Sequence, residues 1–309
     1  MEVVDSLKDI SSQSFSLTIG NFDGVHLGHQ EILKTIKDHA TSKSQKLVVM
    51  TFIPHPVQIL SPRSNFLINS YVQRRNYLRD IGVDYLVEID FNRDLSTMGP
   101  AEFMEEYIFC NSGIKDFFLG HDFAFGSNKS GDHRFIEEYC KNKNIEIHIL
   151  KQFIKNSLHK SISSSSIRDA ISEGNVKQAN VMLGREFMLS GTVVKGVGRG
   201  KQMGVPTANM GYEKTRKIPA RGVYTTQIIV DDQLWQSITN VGFNPTFNDR
   251  NEIFVETHIL DFDNDIYGQE IEVYFINKVR DEKKFSSVNE LISQIHEDIS
   301  SVRNHFERN

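Results

Sequence analysis

Apolar and polar residues change rhythm once along this chain, near residue 185. Before that point, short apolar runs alternate with stretches whose apolar residues recur every three or four positions. Phe15–Ile19 and residues 46–52 (KLVVMTF) are runs of strand length, and 85–89, 116–119 and 145–150 repeat the signal. Ile32, Leu33 and Ile36 keep helical spacing, and helices are expected over 71–80, 101–110 and 132–142. Strands alternating with helices predict an open, mainly parallel sheet. Serines 163–166 read as a helix start before Ile167, Ala170 and Ile171, and 175–183 as a further helix.

Beyond 185 the period is two, over 187–195, 222–230, 234–241, 253–260 and 270–279, with Asp231-Asp232 as a turn. This predicts an antiparallel sheet or small closed barrel. The chain ends in an amphipathic helix whose stripe of Val288, Leu291, Ile292, Ile295, Ile299, Val302 and Phe306 is expected to pack on that barrel. Two domains follow, 1–185 and 186–309, and 309 residues suffice for two cores. The first is expected to stand alone.

Composition adds mostly exclusions. Charged residues are 24% and hydrophobic ones 39%, as in globular proteins. A net charge of −5 provides no global field for nucleic acid, so anionic ligands need local clusters. No stretch reads as a membrane span, and MEVVDSLKDI lacks the features of a signal peptide. Cys110 and Cys140 fit neither a disulfide framework nor a zinc spacing. A cytoplasmic protein with no nucleic-acid or membrane partner is expected.

The candidate chemistry gathers where strands end. In LTIGNFDGVHLGHQ a strand stops at Gly20, a turn carries Asn21, Asp23 and Gly24, and a helix begins with His26 and His29 flanking Gly28. Free backbone N–H groups and the positive end of the helix dipole suit phosphate there. Pro54 of TFIPHP and Gly120 of FFLGHDFAFG also lie just past strand ends, so the three loops converge on one crevice. Arg168 of ISSSSIR sits in a first helical turn, unfavourable for the dipole unless it binds phosphate or ribose.

The second half holds GVGRGKQMG, residues 196–204. It is no P-loop, because Gln202 follows Lys201, and no βαβ unit surrounds it. It reads as a basic loop able to close over a polyphosphate. In PTAN, Thr207 and Asn209 present neutral oxygens suited to a Mg²⁺ shell. Glu256 lies on a strand with Phe254 and His258, on the face opposite Ile253, Val255, Thr257 and Ile259.

The string GNFDGVHLGHQ resembles the HxGH signature of nucleotidyltransferases, in the form found in the prokaryotic bifunctional riboflavin kinase/FAD synthetases. TFIPHP, FFLGHDFAFG and ISSSSIR are similar to later motifs of that family, with Ser165 where its members carry Thr. GVGRGKQMGVPTANM, GVYTT, NVGFNPTF and VETHILDFDNDIYG resemble its flavokinase module.

The resemblance implies a nucleotidyltransferase-like parallel-sheet α/β domain followed by a small antiparallel β-barrel with a C-terminal helix. It implies ATP-dependent phosphorylation of riboflavin to FMN and adenylylation of FMN to FAD, with Mg²⁺ required, ATP as co-substrate and FMN and FAD as product ligands. For adenylylation it assigns ATP to Gly20, Asn21, Phe22, Asp23, His26, His29, Ser164 and Arg168, with the two histidines catalytic. It assigns that site's flavin to Phe52, Pro54, His55, Asp122, Phe123 and Phe125. For the kinase it assigns ATP to Lys195, Gly196, Gly198, Arg199, Gly200, Lys201, Gly204, Pro206, Thr207 and Asn209. Thr207 and Asn209 also take the metal, Glu256 acts as base, and Asn240, Arg280, Glu282 and Phe285 take the flavin. The rival readings are one active domain beside a binding module, or a flavin-responsive regulator without turnover.

Overall fold

The computed structural model describes residues 1–308 apart from 12–13, 122, 128–129, 151–153, 156–159, 197–199, 201–202 and 244–252. The chain falls into two compact units, Met1–Arg63 with Ser70–Ser163, and Ser64–Asn69 with Ser164–Asn309.

In chain order the first unit holds β1 (Glu2–Val4), β2 (Phe15–Ile19), α1 (Leu27–Ser42), β3 (Lys46–Ile53), α2 (Pro56–Leu60), α3 (Tyr71–Ile81) and β4 (Tyr85–Asp90). It continues with α4 (Arg93–Thr97), α5 (Pro100–Phe103), β5 (Ile114–Gly120), β6 (Ala124–Phe125), β7 (Gly131–Asp132), α6 (His133–Cys140), β8 (Glu146–Leu150) and the pair β9 (Ile154–Lys155) and β10 (Lys160–Ser161). Six strands form one sheet in the order β1-β4-β3-β2-β5-β8, all pairs parallel. The chain moves from β2 through β3 to β4, then places β5 on the other side of β2. Such a reversal opens a crevice beyond the carboxyl ends of β2 and β5. Both sheet faces are covered, as the apolar runs require. Leu33 and Ile36 of α1 pack with Leu47, Val49 and Phe118, while Leu17, Ile19, Met50 and Phe117 pack with Phe103, Met104 and Ile136.

The second unit holds α7 (Ser164–Ser172), α8 (Val176–Leu183), β11 (Phe187–Val194), β12 (Ala208–Gly211), β13 (Gly222–Val230), β14 (Gln233–Phe243), β15 (Ile253–Ile259), β16 (Glu270–Arg280) and α9 (Val288–Glu307). Its strands close into an antiparallel barrel, β11-β12-β15-β14-β13-β16. Asp231 and Asp232 turn β13 into β14 with φ of 49° and 60°, the left-handed pair that a two-residue hairpin needs.

Packing divides the chain elsewhere than at 185/186. α8 lies on β11 and β16, and its Asn180 accepts from Phe187 N at 2.7 Å and donates to the Phe275 carbonyl at 2.8 Å. Residues 64–69 also join this unit. Asn65 N and Phe66 N donate to the carbonyls of Lys214 and Thr215, and buried Arg216 donates to the Ile68 carbonyl at 3.0 Å.

Candidate active sites

In the first unit, the loop after β2 is bent by an unusual run of backbone angles. Phe22, Gly24 and Val25 have φ of 48°, 86° and 37°. A left-handed β-branched residue is an outlier of order 1–3 kcal/mol, the kind of strain that collects at functional sites. The bend turns the chain into α1 with His26 as its N-cap, the Nδ1 accepting from His29 N at 3.3 Å. The two imidazoles stack with centroids 3.7 Å apart, and Phe22 meets His29 edge-on at 5.1 Å. The structure thus brings Gly20, Asn21, Phe22, Asp23, His26 and His29 together, with Asp23 and His26 buried.

Arg74 and Glu88, which sequence reasoning missed, hold this loop to the next one. Arg74, 2% exposed, donates through Nη1 to the Asn21 carbonyl at 3.2 Å and the Phe52 carbonyl at 3.4 Å. Its Nη2 donates to Glu88 at 3.2 Å, and Arg75 Nε reaches the same carboxylate at 2.9 Å. Burial holds the Arg74 guanidinium below its usual pKa, with the Glu88 charge opposing the shift.

β3 ends before Pro54, but TFIPHP does not stay extended. His55 caps the short α2, its Nδ1 accepting from Val57 N at 3.2 Å, and its own N–H donates to Tyr71 Oη at 2.7 Å. Phe52, Phe103, Phe125 and Phe123 form a run of rings with successive centroids 6.5, 5.4 and 5.5 Å apart. Asp122 lies outside the described residues.

Ser164 and Arg168 belong to the second unit, on α7. Arg168 lies over the Phe66 ring at 3.9 Å and donates through Nε to the Phe66 carbonyl at 3.0 Å. Burial, then the Arg168 charge, pull the pKa of Lys217 down, so two cations share this place.

The second unit also holds a cavity of 1020 Å³ on the outer face of the barrel. Asn209, Glu256 and Asn240 form a row across β12, β15 and β14 and line it together. Val255, Thr257 and Ile259 are buried, as the alternation predicted, whereas Ile253 is half-buried and, with Val255, also borders the cavity. Lys195, Gly196, Gly200 and Thr207 line the cavity too. A Cβ on Gly200 would come within 2.4 Å of the Val205 carbonyl, so the backbone approach there calls for glycine, while one on Gly196 would come within 2.2 Å of Asn209 Nδ2 and displace that side chain. Gly204 takes φ of 76°, and the Pro206 carbonyl accepts from His258 Nδ1 at 2.7 Å. Gly198, Arg199 and Lys201 lie outside the described residues.

Arg280, Glu282 and Phe285 line the same cavity. Arg280 is clamped by buried Asp298 of α9, with Nε 3.0 Å from both carboxylate oxygens and Nη2 at 2.7 Å. Glu282 pairs with Arg221 at 3.1 Å. The stripe of α9 divides: Ile299, Val302 and Phe306 pack on the barrel, whereas Leu291 and Ile295 line the cavity and Val288 is exposed. Both cysteines are free thiols, and burial pushes Cys140 up to about 11, which keeps it inert.

The riboflavin kinase family matches residues 183–306 and the FAD synthetase family residues 8–166. The bifunctional riboflavin kinase/FMN adenylyltransferase of Bacillus subtilis is 31% identical, over 94% of this chain and 92% of that protein. Its namesake from Buchnera aphidicola is 32% identical, over 98% and 97%. A crystal structure titled as a macrolide-efflux protein from Streptococcus pneumoniae is 34% identical, with a TM-score of 0.86 and 98% of each chain covered. Among the described residues here no helix is long and apolar enough to cross a membrane. Matched in both halves and along nearly its whole length, the chain belongs to the bifunctional riboflavin kinase/FMN adenylyltransferase family, enzymes that make FMN from riboflavin and FAD from FMN with ATP.

Proposed function

We propose a division of these two activities between the chain's candidate sites: adenylylation at the HxGH loop, in a functional module 1–185, and riboflavin phosphorylation at the barrel cavity, in a module 186–309. This division follows the motifs rather than the packing, since α7 carries Ser164 and Arg168 of the first site. The place of action is the cytoplasm, where ATP is at hand.

At the barrel, Glu256 accepts the proton of the riboflavin 5′-hydroxyl while that oxygen attacks the γ-phosphorus and ADP leaves. The observation that carries this role is the row Asn209–Glu256–Asn240 on the cavity wall, with the carboxylate between two carboxamides. Thr207 and Asn209 offer hard neutral oxygens that fit Mg²⁺, which supplies charge neutralisation on the phosphates. Lys195 and the loop through Gly196, Gly200, Gly204 and Pro206 line the ATP, with Gly198, Arg199 and Lys201 assigned there by motif. Asn240, Arg280, Glu282 and Phe285 orient the flavin.

At the HxGH loop, an FMN phosphate oxygen attacks the α-phosphorus of ATP and pyrophosphate leaves, so no protein nucleophile is needed. His26, His29 and the N–H groups opening α1 stabilise the triphosphate charge, with Ser164 and Arg168 as further ATP contacts. The ring run from Phe52 to Phe123, with Pro54 and His55, borders the flavin, and Asp122 is assigned there by motif. The test is a crossed pair of variants assayed for FMN and FAD. His29→Ala is expected to cut FAD formation about 10²–10³-fold and spare the kinase; Glu256→Gln is expected to do the reverse. Joint loss of both activities from a folded variant would overturn the division.

A further inference from the structure

We propose that the first unit carries a site for a divalent late transition metal, built from His39, Asp116 and His148 with Glu146 at its rim. His39 Nε2 lies 2.9 Å and His148 Nε2 2.8 Å from one oxygen, Asp116 Oδ1, and the three ligand atoms all fall within 4.8 Å of one another. Glu146 Oε1 is 3.8 Å from His148 Nε2. An ion about 2.0–2.2 Å from each donor fits among such atoms after a small outward shift.

The donors are held in place. Phe118 stacks on the His148 ring at 4.3 Å and meets His39 edge-on at 5.1 Å. Asp116 is 1% exposed, and its other oxygen accepts from Gln45 Nε2 at 2.6 Å. Ser16 Oγ in turn donates to Gln45 Oε1 at 2.5 Å. This second layer fixes the carboxylate with Oδ1 turned to the imidazoles, as outer partners do around metal ligands. Lys43 now supplies the positive charge, its Nζ 3.0 Å from both Asp116 Oδ1 and Glu146 Oε2. Its side chain is 40% exposed, so an incoming ion can displace its ammonium into solvent.

Location and chemistry both separate this cluster from catalysis. Asp116 stands in register with Ser16 and Glu146, near the strand starts, whereas the HxGH loop leaves β2 beyond Ile19 at the opposite end. Two imidazoles and two carboxylates suit Zn²⁺, Co²⁺ or Ni²⁺, while Mg²⁺ prefers oxygen and water.

The experiment uses full-length, tag-free protein stripped by chelation. It is titrated with Zn²⁺ by calorimetry and with Co²⁺ by visible absorption. Saturable Zn²⁺ binding and the ligand-field bands of four-coordinate Co²⁺ are expected. A His39→Gln/His148→Gln double variant, checked for fold by circular dichroism, should bind at least about 100-fold more weakly. Lys43→Met keeps every ligand and removes the competing ammonium, so it should tighten binding roughly tenfold. That gain also decides the matter if the double variant does not fold. Undiminished binding by the double variant, as His26 and His29 would give, overturns the proposal. So does a failure of Lys43→Met to tighten it, or the absence of saturable binding.

Discussion

Asn209 and Glu256 stand directly opposite each other on β12 and β15, and Glu256 meets Asn240 on β14 at its other side. Two adjoining β-ladders therefore set the proposed metal ligand, the proposed base and the proposed flavin contact in line. Glu256→Gln retains shape and hydrogen bonding but cannot accept a proton at neutral pH. Riboflavin phosphorylation is expected to fall about 10²–10⁴-fold, with riboflavin and Mg-ATP affinities little changed. FMN-to-FAD conversion in the same sample serves as control, and a normal phosphorylation rate would reduce Glu256 to a cavity-wall residue.

Arg74 ties the Asn21 and Phe52 carbonyls to Glu88 beneath the adenylylation loops. Replacing it with Met removes the tie but leaves Glu88 paired with Arg75. Stability should therefore fall less than in Glu88→Ala, which strands a buried guanidinium at a cost of about 3–5 kcal/mol. Loop misplacement near 1 Å should slow FAD formation about 10²-fold in Arg74→Met. Thermal melts of both variants, with separate FMN and FAD assays, check the ordering. Wild-type FAD formation in Arg74→Met would remove the positioning role.

The parts legible from sequence were those fixed locally. Alternation on β15 placed Glu256 opposite Val255 and Thr257, and the strand–turn–helix rhythm marked the HxGH loop at the end of β2. Long-range pairings were not legible. The strand through PTAN, Ala208–Gly211, is too short for periodicity to show, and its partner β15 lies far along the chain. Arg74 sits in the helix that the spacing predicts over 71–80, but its partners, Glu88 and two carbonyls, lie on other elements that spacing does not show. The apolar spacing of α9 is the same whether a residue packs on the barrel, like Val302, or lines a cavity, like Leu291.

Nor did sequence spacing reveal what an isolated adenylylation fragment would lose. A fragment of residues 1–184 keeps the parallel sheet, but the buried side chains of α8 (Val176, Ala179, Met182 and Leu183) lose β11 and β16. Each Val, Leu or Met left exposed forgoes roughly 1.5–3 kcal/mol. Residues 65–67 lose their backbone partners at Lys214, Thr215 and Lys217, and with them the support of Phe66 beneath Arg168. The fragment is expected to retain FAD synthesis with a raised KM for ATP, and to bind a hydrophobic dye that the full chain does not. An unchanged KM for ATP would show that Arg168 needs no such support.

Asp298 should act on flavin binding through Arg280. Its carboxylate takes three guanidinium contacts, is only 4% exposed, and also accepts from Gln294 Nε2 at 3.1 Å. Arg280 thereby lies along the cavity with its guanidinium carbon 5.9 Å from the centre of the Phe285 ring. In Asp298→Ala the guanidinium loses its carboxylate anchor while Glu256 keeps its strand. If Arg280 orients the flavin, the KM for riboflavin should rise roughly tenfold, the effect of about 1.4 kcal/mol, while kcat changes less. Asp298→Asn retains an acceptor and should restore part of the affinity, which a purely structural role of α9 would not require. Equal falls in kcat and kcat/KM, with KM unchanged, would instead place Arg280 in transition-state stabilisation rather than flavin binding.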